Sequence, residues 1–233
     1  MSYEPDAHQA QMKILRHLLM TKDASFAELQ KETDMTSDHF TFHIKKLVKS
    51  GFIIKEKDRY SLTIAGKEYS NRMDTDENVI ERQPKISVVL IIENHKGQVL
   101  EQQRLKHPYY GYWGHPTGKV RWGETLAESA ARELMEETGL SADMRVAGLF
   151  HKMDYDESTD ILLEDKYFCV IHATNPKGNL IVDNEGHRNE WLSVEDVLKK
   201  DKKFESIDET VELVRKQDFF FVERKYKYPN KDY

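Results

Sequence analysis

Glu133, Glu136 and Glu137 stand at i, i+3 and i+4 within Leu126–Thr138, a run of strong helix formers with no Pro or Gly. On a helix these positions share one face. Three carboxylates gathered there weaken an isolated helix by roughly 0.2–0.5 kcal/mol per close pair, and a bound cation removes that repulsion. Carboxylate oxygens are hard ligands that suit Mg²⁺ and also Mn²⁺. Mg²⁺ keeps several waters and commonly bridges carboxylates to substrate phosphates. The chemistry that fits is therefore the binding of a hard cation, which can bridge to a phosphate. The triplet alone leaves open a plain solvated acidic face.

The elements that must hold these groups are readable on either side. Thr125 caps the helix, with Glu128 three residues on in capping-box register. Gly139 ends it. Ala127, Ala130, Ala131 and Leu134 lie on a neighbouring face, small enough for close packing on a sheet. Upstream, Ile86–Glu93 and Gln98–Arg104 flank Asn94-His95-Lys96-Gly97, which predicts a β-hairpin. Downstream, strands are predicted near Arg145–Lys152, Lys166–Ala173 and Glu190–Ser193. A helix starts at Ser193, another spans Ile207–Lys216, and Phe219–Tyr226 forms a last strand.

The segment Gly118–Leu140 resembles the Nudix family motif, G-x5-E-x7-R-E-U-x-E-E-x-G-U, where U is aliphatic. Gly118, Glu124, Arg132, Glu133, Leu134, Glu136, Glu137, Gly139 and Leu140 match every fixed position. The resemblance implies an α/β/α sandwich and a Mg²⁺-dependent hydrolase of a nucleoside diphosphate linked to another group. It makes Glu136 and Glu137 the main metal ligands, with Glu133 ligating or positioning water. Arg132 orients a glutamate, and Glu124 pairs with Arg132. The carbonyl of Thr117 ligates metal at a position where a second glycine is frequent. The general base is Glu133 or a residue on a later loop, where Asp183, Glu185 and Glu190 are candidates. Glu190 precedes Trp191-Leu192-Ser193, a recurring family pattern, and an edge-of-strand role is its alternative.

The loop His107–Pro116 is rich in Gly and aromatic residues. Tyr109 and Tyr110 are candidates for stacking on a nucleobase, and Trp113 for packing beneath the motif. Lys119 and Arg121 are placed to meet phosphates, with exposed salt bridges as the equal alternative. Tyr155 lies where some subfamilies carry a substrate signature, which leaves the substrate open among ADP-ribose, dinucleotides, nucleotide sugars and nucleoside triphosphates.

The front of the chain has a different pattern. Met12, Ile14, Leu15, Leu18 and Leu19 recur at helical steps and predict a helix over Asp6–Met20. Ser25 and Glu28 form a second capping box. A third helix is expected over Ser37–Ser50, with Phe40, Ile44, Leu47 and Val48 inward and Gly51 as a left-handed cap. A hairpin follows, Phe52–Glu56 and Tyr60–Thr63. This order is similar to a winged helix-turn-helix of the bacterial repressor type. The resemblance makes Ser37–Ser50 a recognition helix, with Ser37, His39, Thr41, Phe42 and His43 toward the groove of double-stranded DNA. Residues 39–59 hold six Lys and Arg against two Asp and Glu. Lys45, Lys57 and Arg59 in that strip suit phosphate contact. Protein contact is the alternative use. A homodimer fits two half-sites.

The expected class is multidomain α+β: a winged helix-turn-helix over 1–75, a linker over 76–85 and a Nudix sandwich over 86–233 with a C-terminal extension. Two functions compete. One is an active hydrolase. The other is a transcription regulator whose Nudix part senses a nucleotide metabolite such as ADP-ribose. All motif carboxylates are present, which favours catalysis. Across 233 residues the net charge is −6, so general nucleic-acid binding by the whole chain is not expected. The single Cys169 lies in an apolar run and fits a reducing compartment. The polar start, Met1–Asp6, lacks a signal-peptide pattern, and no run reaches the roughly 20 apolar residues of a membrane span. The expected location is the cytoplasm.

Overall fold

A computed structural model describes residues 9–33 and 35–233, and the chain divides into two compact units, 1–83 and 84–233. The first turn of the helix expected from Asp6, and the polar start before it, lie outside the described residues. No helix among the described residues is long and apolar enough to cross a membrane.

The first unit runs α1 (Gln9–Met20), β1 (Ala24–Ser25), α2 (Phe26–Lys31), α3 (Ser37–Lys49), β2 (Ile53–Glu56), β3 (Arg59–Leu62) and α4 (Ile64–Ser70). Ser25 accepts from the Glu28 amide while the Glu28 side chain accepts from the Ser25 amide, closing the expected capping box. Strands pair in the order β1-β3-β2. Met12, Ile14, Leu15 and Leu18 of α1 meet Phe40, Ile44 and Leu47 of α3 in one core. Each fully buried side chain of this kind stabilises by about 1.5–3 kcal/mol. Val48, expected inside, is largely exposed. The stretch expected as a linker, 76–85, carries β5 (Val79–Ile80), which pairs with β4 (Met73–Asp74) just before it, and Met73 joins the core.

The second unit continues with β6 (Lys85–Ile92), β7 (Val99–Arg104), β8 (Trp113–Gly114), β9 (Thr117–Lys119), α5 (Leu126–Thr138), β10 (Leu140–Asp156) and β11 (Leu162–Gly178). It ends with β12 (Asp183–Asn184), β13 (His187–Leu192), α6 (Val194–Leu198), α7 (Ile207–Arg215) and β14 (Phe220–Tyr228). Two sheets form, β14-β10-β11-β6-β9 and β12-β13-β7-β8. The expected hairpin of β6 and β7 does not form. Both edges of β6 are taken, by β11 in parallel and β9 antiparallel, so β7 pairs with β8 and β13 in the other sheet. Only a Glu93–Val99 bridge remains.

Strand alternation explains the layering. Val88, Leu90 and Ile92 face Ala130 and Leu134 of α5. Val89 and Ile91 face Ile207, Val211 and Val214 of α7. The sheets therefore lie between α5 on one side and α6 with α7 on the other. Trp113 is buried in this second core, with Lys200 Nζ 4.3 Å from its ring. Cys169 is a partly buried strand thiol whose pKa burial raises.

His151 on β10 clamps its neighbours. Nδ1 lies 2.7 Å from Glu223 of β14, Nε2 lies 2.8 Å from Asp165 of β11, and the ring stacks on Tyr167 at 4.0 Å. Burial opposes its charge, but the two carboxylates outweigh it and raise its pKa above the ordinary 6.5. A raised folded-state pKa stabilises fully below the unfolded value and is lost as pH rises through the folded one. His151→Gln is therefore expected to lower the melting temperature of this unit by about 2–4 °C at pH 5.5, the shift for ~1 kcal/mol. The gap should shrink as pH rises above 6.5. A gap that stays constant or widens with pH in calorimetric scans would contradict the charged clamp.

Candidate active site

The site is built on α5. Thr125 accepts from the Glu128 amide and Glu128 accepts back from the Thr125 amide, so the helix starts with both ends of a capping box made. Gly139 closes it at φ 71°, the left-handed region. Between them Arg132 acts as a hub. Its Nε and Nη2 donate to the two oxygens of Glu124, both at 2.7 Å. Its Nη1 donates to Glu133 at 2.6 Å and to Glu136 at 3.2 Å, and Nη2 also donates to the Lys119 carbonyl at 3.1 Å. The guanidinium, with help from Ser129 and the Arg121 amide, pulls the Glu124 pKa down to about 2. The pair thus survives any ordinary acidity.

Glu133 is 8% exposed and lies over Gly118 of β9, where a Cβ would overlap its Cγ, Cδ and Oε2. Bare backbone at residue 118 lets the carboxylate settle onto the loop beside Thr117. Glu136 is more open and also receives Arg121 Nη2 at 3.3 Å. Glu137 turns to Gln102 Nε2 at 3.3 Å and His187 Nδ1 at 3.1 Å. Among the described residues, no group of three His, Cys, Asp or Glu is drawn tightly enough to hold a metal ion as the side chains lie. Arg132 stands between Glu133 and Glu136. The donor types nevertheless fit a hard divalent cation: three carboxylates from one helix and a backbone carbonyl on the adjoining strand. The glycine cradle that seats Glu133 on that strand agrees with this.

Beside the box lies a cavity of about 90 Å³, bounded by Thr117, Gln102, Arg104, Lys152, Lys166 and Phe168 among others. The loop before the box is braced behind it. Fully buried Glu101 has Oε1 2.7 Å from His115 Nδ1, and His115 Nε2 is 2.9 Å from Thr210 Oγ1.

Residues 83–214 match the NUDIX domain family. The chain belongs to the Nudix family. Over 72 residues it is 39% identical to the RNA pyrophosphohydrolase of Erythrobacter litoralis, covering 31% of this chain and 43% of that protein. Over 102 residues it is 31% identical to the ADP-ribose pyrophosphatase of Methanocaldococcus jannaschii, covering 42% and 60%. The chain thus spans about half the length of the curated relatives it matches. The MutT protein of Bacillus halodurans aligns at 22% identity, over 61% of this chain and 90% of that one, with a TM-score of 0.49. Residues 3–73 match DUF7347, a domain of unknown function.

Within this Nudix unit the sequence-derived candidates separate. Lys119 and Arg121 sit on the box loop, the first offering its carbonyl to Arg132 and the second its guanidinium to Glu136. Tyr109 is buried against Tyr112, Phe204, Tyr228 and Tyr233 and donates to Asp154, so it frames the cavity and has no free face for stacking. Burial and the Asp154 charge push its pKa up strongly. Tyr110 is exposed, 5.9 Å from His107. Glu190 points away from the helix carboxylates, with Lys200 3.8 Å from it. Alternation along β13 instead sends His187 and Asn189 to α5, where both meet the Glu137 carbonyl. Asp183 and Glu185 are exposed, and Asn184 between them donates to the Glu136 carbonyl at 3.3 Å. The side chains around Glu137 that sequence reasoning passed over, Gln102 and Asn189, sit on the same strand faces as Leu100 and His187; the period-two pattern could have marked them.

In the first unit Ser37, His39, Phe42, Lys45 and Lys57 are exposed and Thr41 is half-buried, its hydroxyl donating to the Ser37 carbonyl. His43 is buried, a correction to its expected place at the groove: helix periodicity puts it beside Ile44 and Leu47 on the core side. Arg59 is held by Asp23 and lies 3.5 Å from Glu28, so its charge is largely matched.

Proposed function

We propose that the chain is a Mg²⁺-dependent pyrophosphohydrolase that cleaves the diphosphate of a nucleoside diphosphate linked to a second group. The observation that carries this reading is the α5 carboxylate face, intact at every motif position and organised by Arg132. The two curated relatives, named as an RNA pyrophosphohydrolase and an ADP-ribose pyrophosphatase, support the same class. In this reading Glu136, Glu137, Glu133 and the Thr117 carbonyl hold the cation. When bound it neutralises phosphate charge and polarises phosphorus. Arg132 orients Glu133 and Glu136, and Glu124 fixes Arg132. Lys119 and Arg121 meet the phosphates. Water attacks one phosphorus in line, a P–O bond forms as the bridging P–O bond breaks, and the other phosphate leaves. In this reading Glu133, already at the carboxylate cluster, takes the proton.

The test is hydrolysis of a panel holding ADP-ribose, a dinucleoside polyphosphate, a nucleotide sugar and a nucleoside triphosphate. With Mg²⁺ one of them should turn over, and EDTA should abolish it. No turnover of any compound in Mg²⁺ or Mn²⁺, with tight binding of one, would favour the sensor reading instead.

The first unit reads as a winged helix-turn-helix that binds double-stranded DNA through α3 and the β2–β3 hairpin. The exposure of Ser37, His39, Phe42, Lys45 and Lys57 supports this. Two copies presenting α3 to successive grooves are the assembly it expects. A Lys45→Glu/Lys57→Glu chain should lose about tenfold or more in affinity for a random duplex, with a salt slope shallower by about 1–2. Fluorescence anisotropy between 50 and 200 mM salt reads this. Absence of binding by the parent chain at the low-salt end would sink it.

A further inference from the structure

The cavity beside the box is lined by three cationic side chains, Arg104, Lys152 and Lys166, and one carboxylate, Asp154. Arg104 lies at its wall. Its one side-chain hydrogen bond runs from Nε to the Pro108 carbonyl at 2.9 Å, and among the described residues no carboxylate stands within ion-pair distance of it. Its terminal fork is thus unengaged. Lys152, deeply buried, is held by Asp154 and by three rings, with Nζ 4.9–5.2 Å from the centroids of Phe204, Tyr226 and Tyr228. Lys166 has Nζ 3.3 Å from Glu164, but Lys85 already takes the same oxygen at 2.7 Å.

The two carboxylates of this cluster are spent internally. Asp154 gives one oxygen to Lys152 and the other to the Tyr109 hydroxyl at 3.1 Å. Glu164 gives one to the lysines and the other to the Tyr233 hydroxyl at 2.9 Å. Three cations, Arg104, Lys152 and Lys166, therefore line the cavity against one carboxylate, Asp154, with Glu164 and Glu137 acting on them from outside its wall. A desolvated surplus of positive charge is costly until an anion meets it. A guanidinium fork with two ammonium groups nearby is suited to a phosphate.

The cavity is continuous with the proposed catalytic face. Gln102, which lines it, donates to Glu137, and Thr117 lines it as well. Tyr226, Tyr228 and Tyr233, which buttress Lys152, Tyr109 and Glu164, lie beyond the residues matched to the Nudix family. The pocket's polarity is thus set partly by residues outside the matched range.

We propose that this cavity is an anion subsite, in which Arg104, Lys166 and Lys152 take a phosphate ester carried by the ligand in addition to its diphosphate. The inference rests on the proposed diphosphate reading only for what lies next door. The added phosphate has two sources, the nucleoside or the group beyond the diphosphate. The experiment separates them with three probes: ADP-ribose, ADP-ribose 2′-phosphate and ADP-ribose 1″-phosphate.

Calorimetric titration of the full chain in EDTA reads binding without turnover. One phosphorylated probe should bind at least about tenfold more tightly than ADP-ribose, the effect of one or two charge-assisted hydrogen bonds. Which probe does so names the end. Arg104→Gln and, independently, Lys166→Gln should reduce that ratio to below about threefold, and Arg104→Lys should restore part of it. Equal affinities for all three, no binding of any, or a ratio that survives both glutamine variants would overturn the subsite. Hydrolysis in Mg²⁺ is scored separately. A preserved affinity ratio with no hydrolysis would remove the diphosphate reading and leave the anion subsite standing.

Discussion

Glu137→Gln is expected to lower turnover by at least about a hundredfold in Mg²⁺ while leaving the melting curve nearly unchanged. Losing a group that merely orients a metal ligand typically costs 10–100-fold, and Glu137 is proposed as a ligand itself. The amide is isosteric and still meets Gln102 and His187, which approach at 3.3 and 3.1 Å. The side chain is a quarter exposed, so the fold has little to lose. Steady-state rates beside circular dichroism melts check both halves. Full activity in the variant would remove Glu137 from the metal site. A collapse of the melt would make its role structural.

Gly118→Ala should be almost as damaging, through a different cause. A Cβ at residue 118 overlaps Cγ, Cδ and Oε2 of Glu133, so the glutamate must swing off the strand. That breaks its 2.6 Å bond from Arg132 and removes the proposed base. Turnover is expected to fall by about a hundredfold or more, and stability by about 1–3 kcal/mol, the usual cost of overpacking. Glu133→Ala on top of Gly118→Ala should recover the stability but none of the rate. Recovery of neither would mean that the loop needs glycine for a reason unconnected with Glu133.

The helix that carries the carboxylates was legible from end to end, because its capping signals agree: Thr125 and Glu128 at the start, Gly139 at the close. Of the alanines expected toward the sheet only Ala130 is buried, beside Leu134, while Ala127 and Ala131 are exposed. Helical spacing placed the three glutamates on one face, and the motif alone marked Arg132 beside them. Pairing was less legible. Asn94–Gly97 has the chemistry of a tight hairpin turn, yet β6 and β7 part into two sheets. Turn residues constrain only the chain reversal; strand partners are decided by distant edges, and β6 found β9 and β11. The cationic cavity was invisible because its members come from β7, β10 and β11, far apart in sequence. One trace was there. Lys152 and Asp154, like Glu164 and Lys166, alternate as charges inside segments that are otherwise strand-forming. His43 and Val48 show the opposite limit, since a one-residue rotation of α3 exchanges what is inside for what is outside.

Strand β14 lies parallel to β10, with Gly148 opposite Phe220 and Asp156 opposite Tyr228, 72 positions apart at every pair. Parallel partners so distant must close a long loop before any hydrogen bond rewards them. During refolding β10 and β11 can zip first, since they are sequential and antiparallel. Until β14 arrives, one side of β10 is a bare row of backbone donors and acceptors, the kind of margin on which a second chain can dock. Concentration during refolding should therefore decide the yield of this protein more than temperature does, and the strand that comes late also brings the tyrosines that shape its pocket.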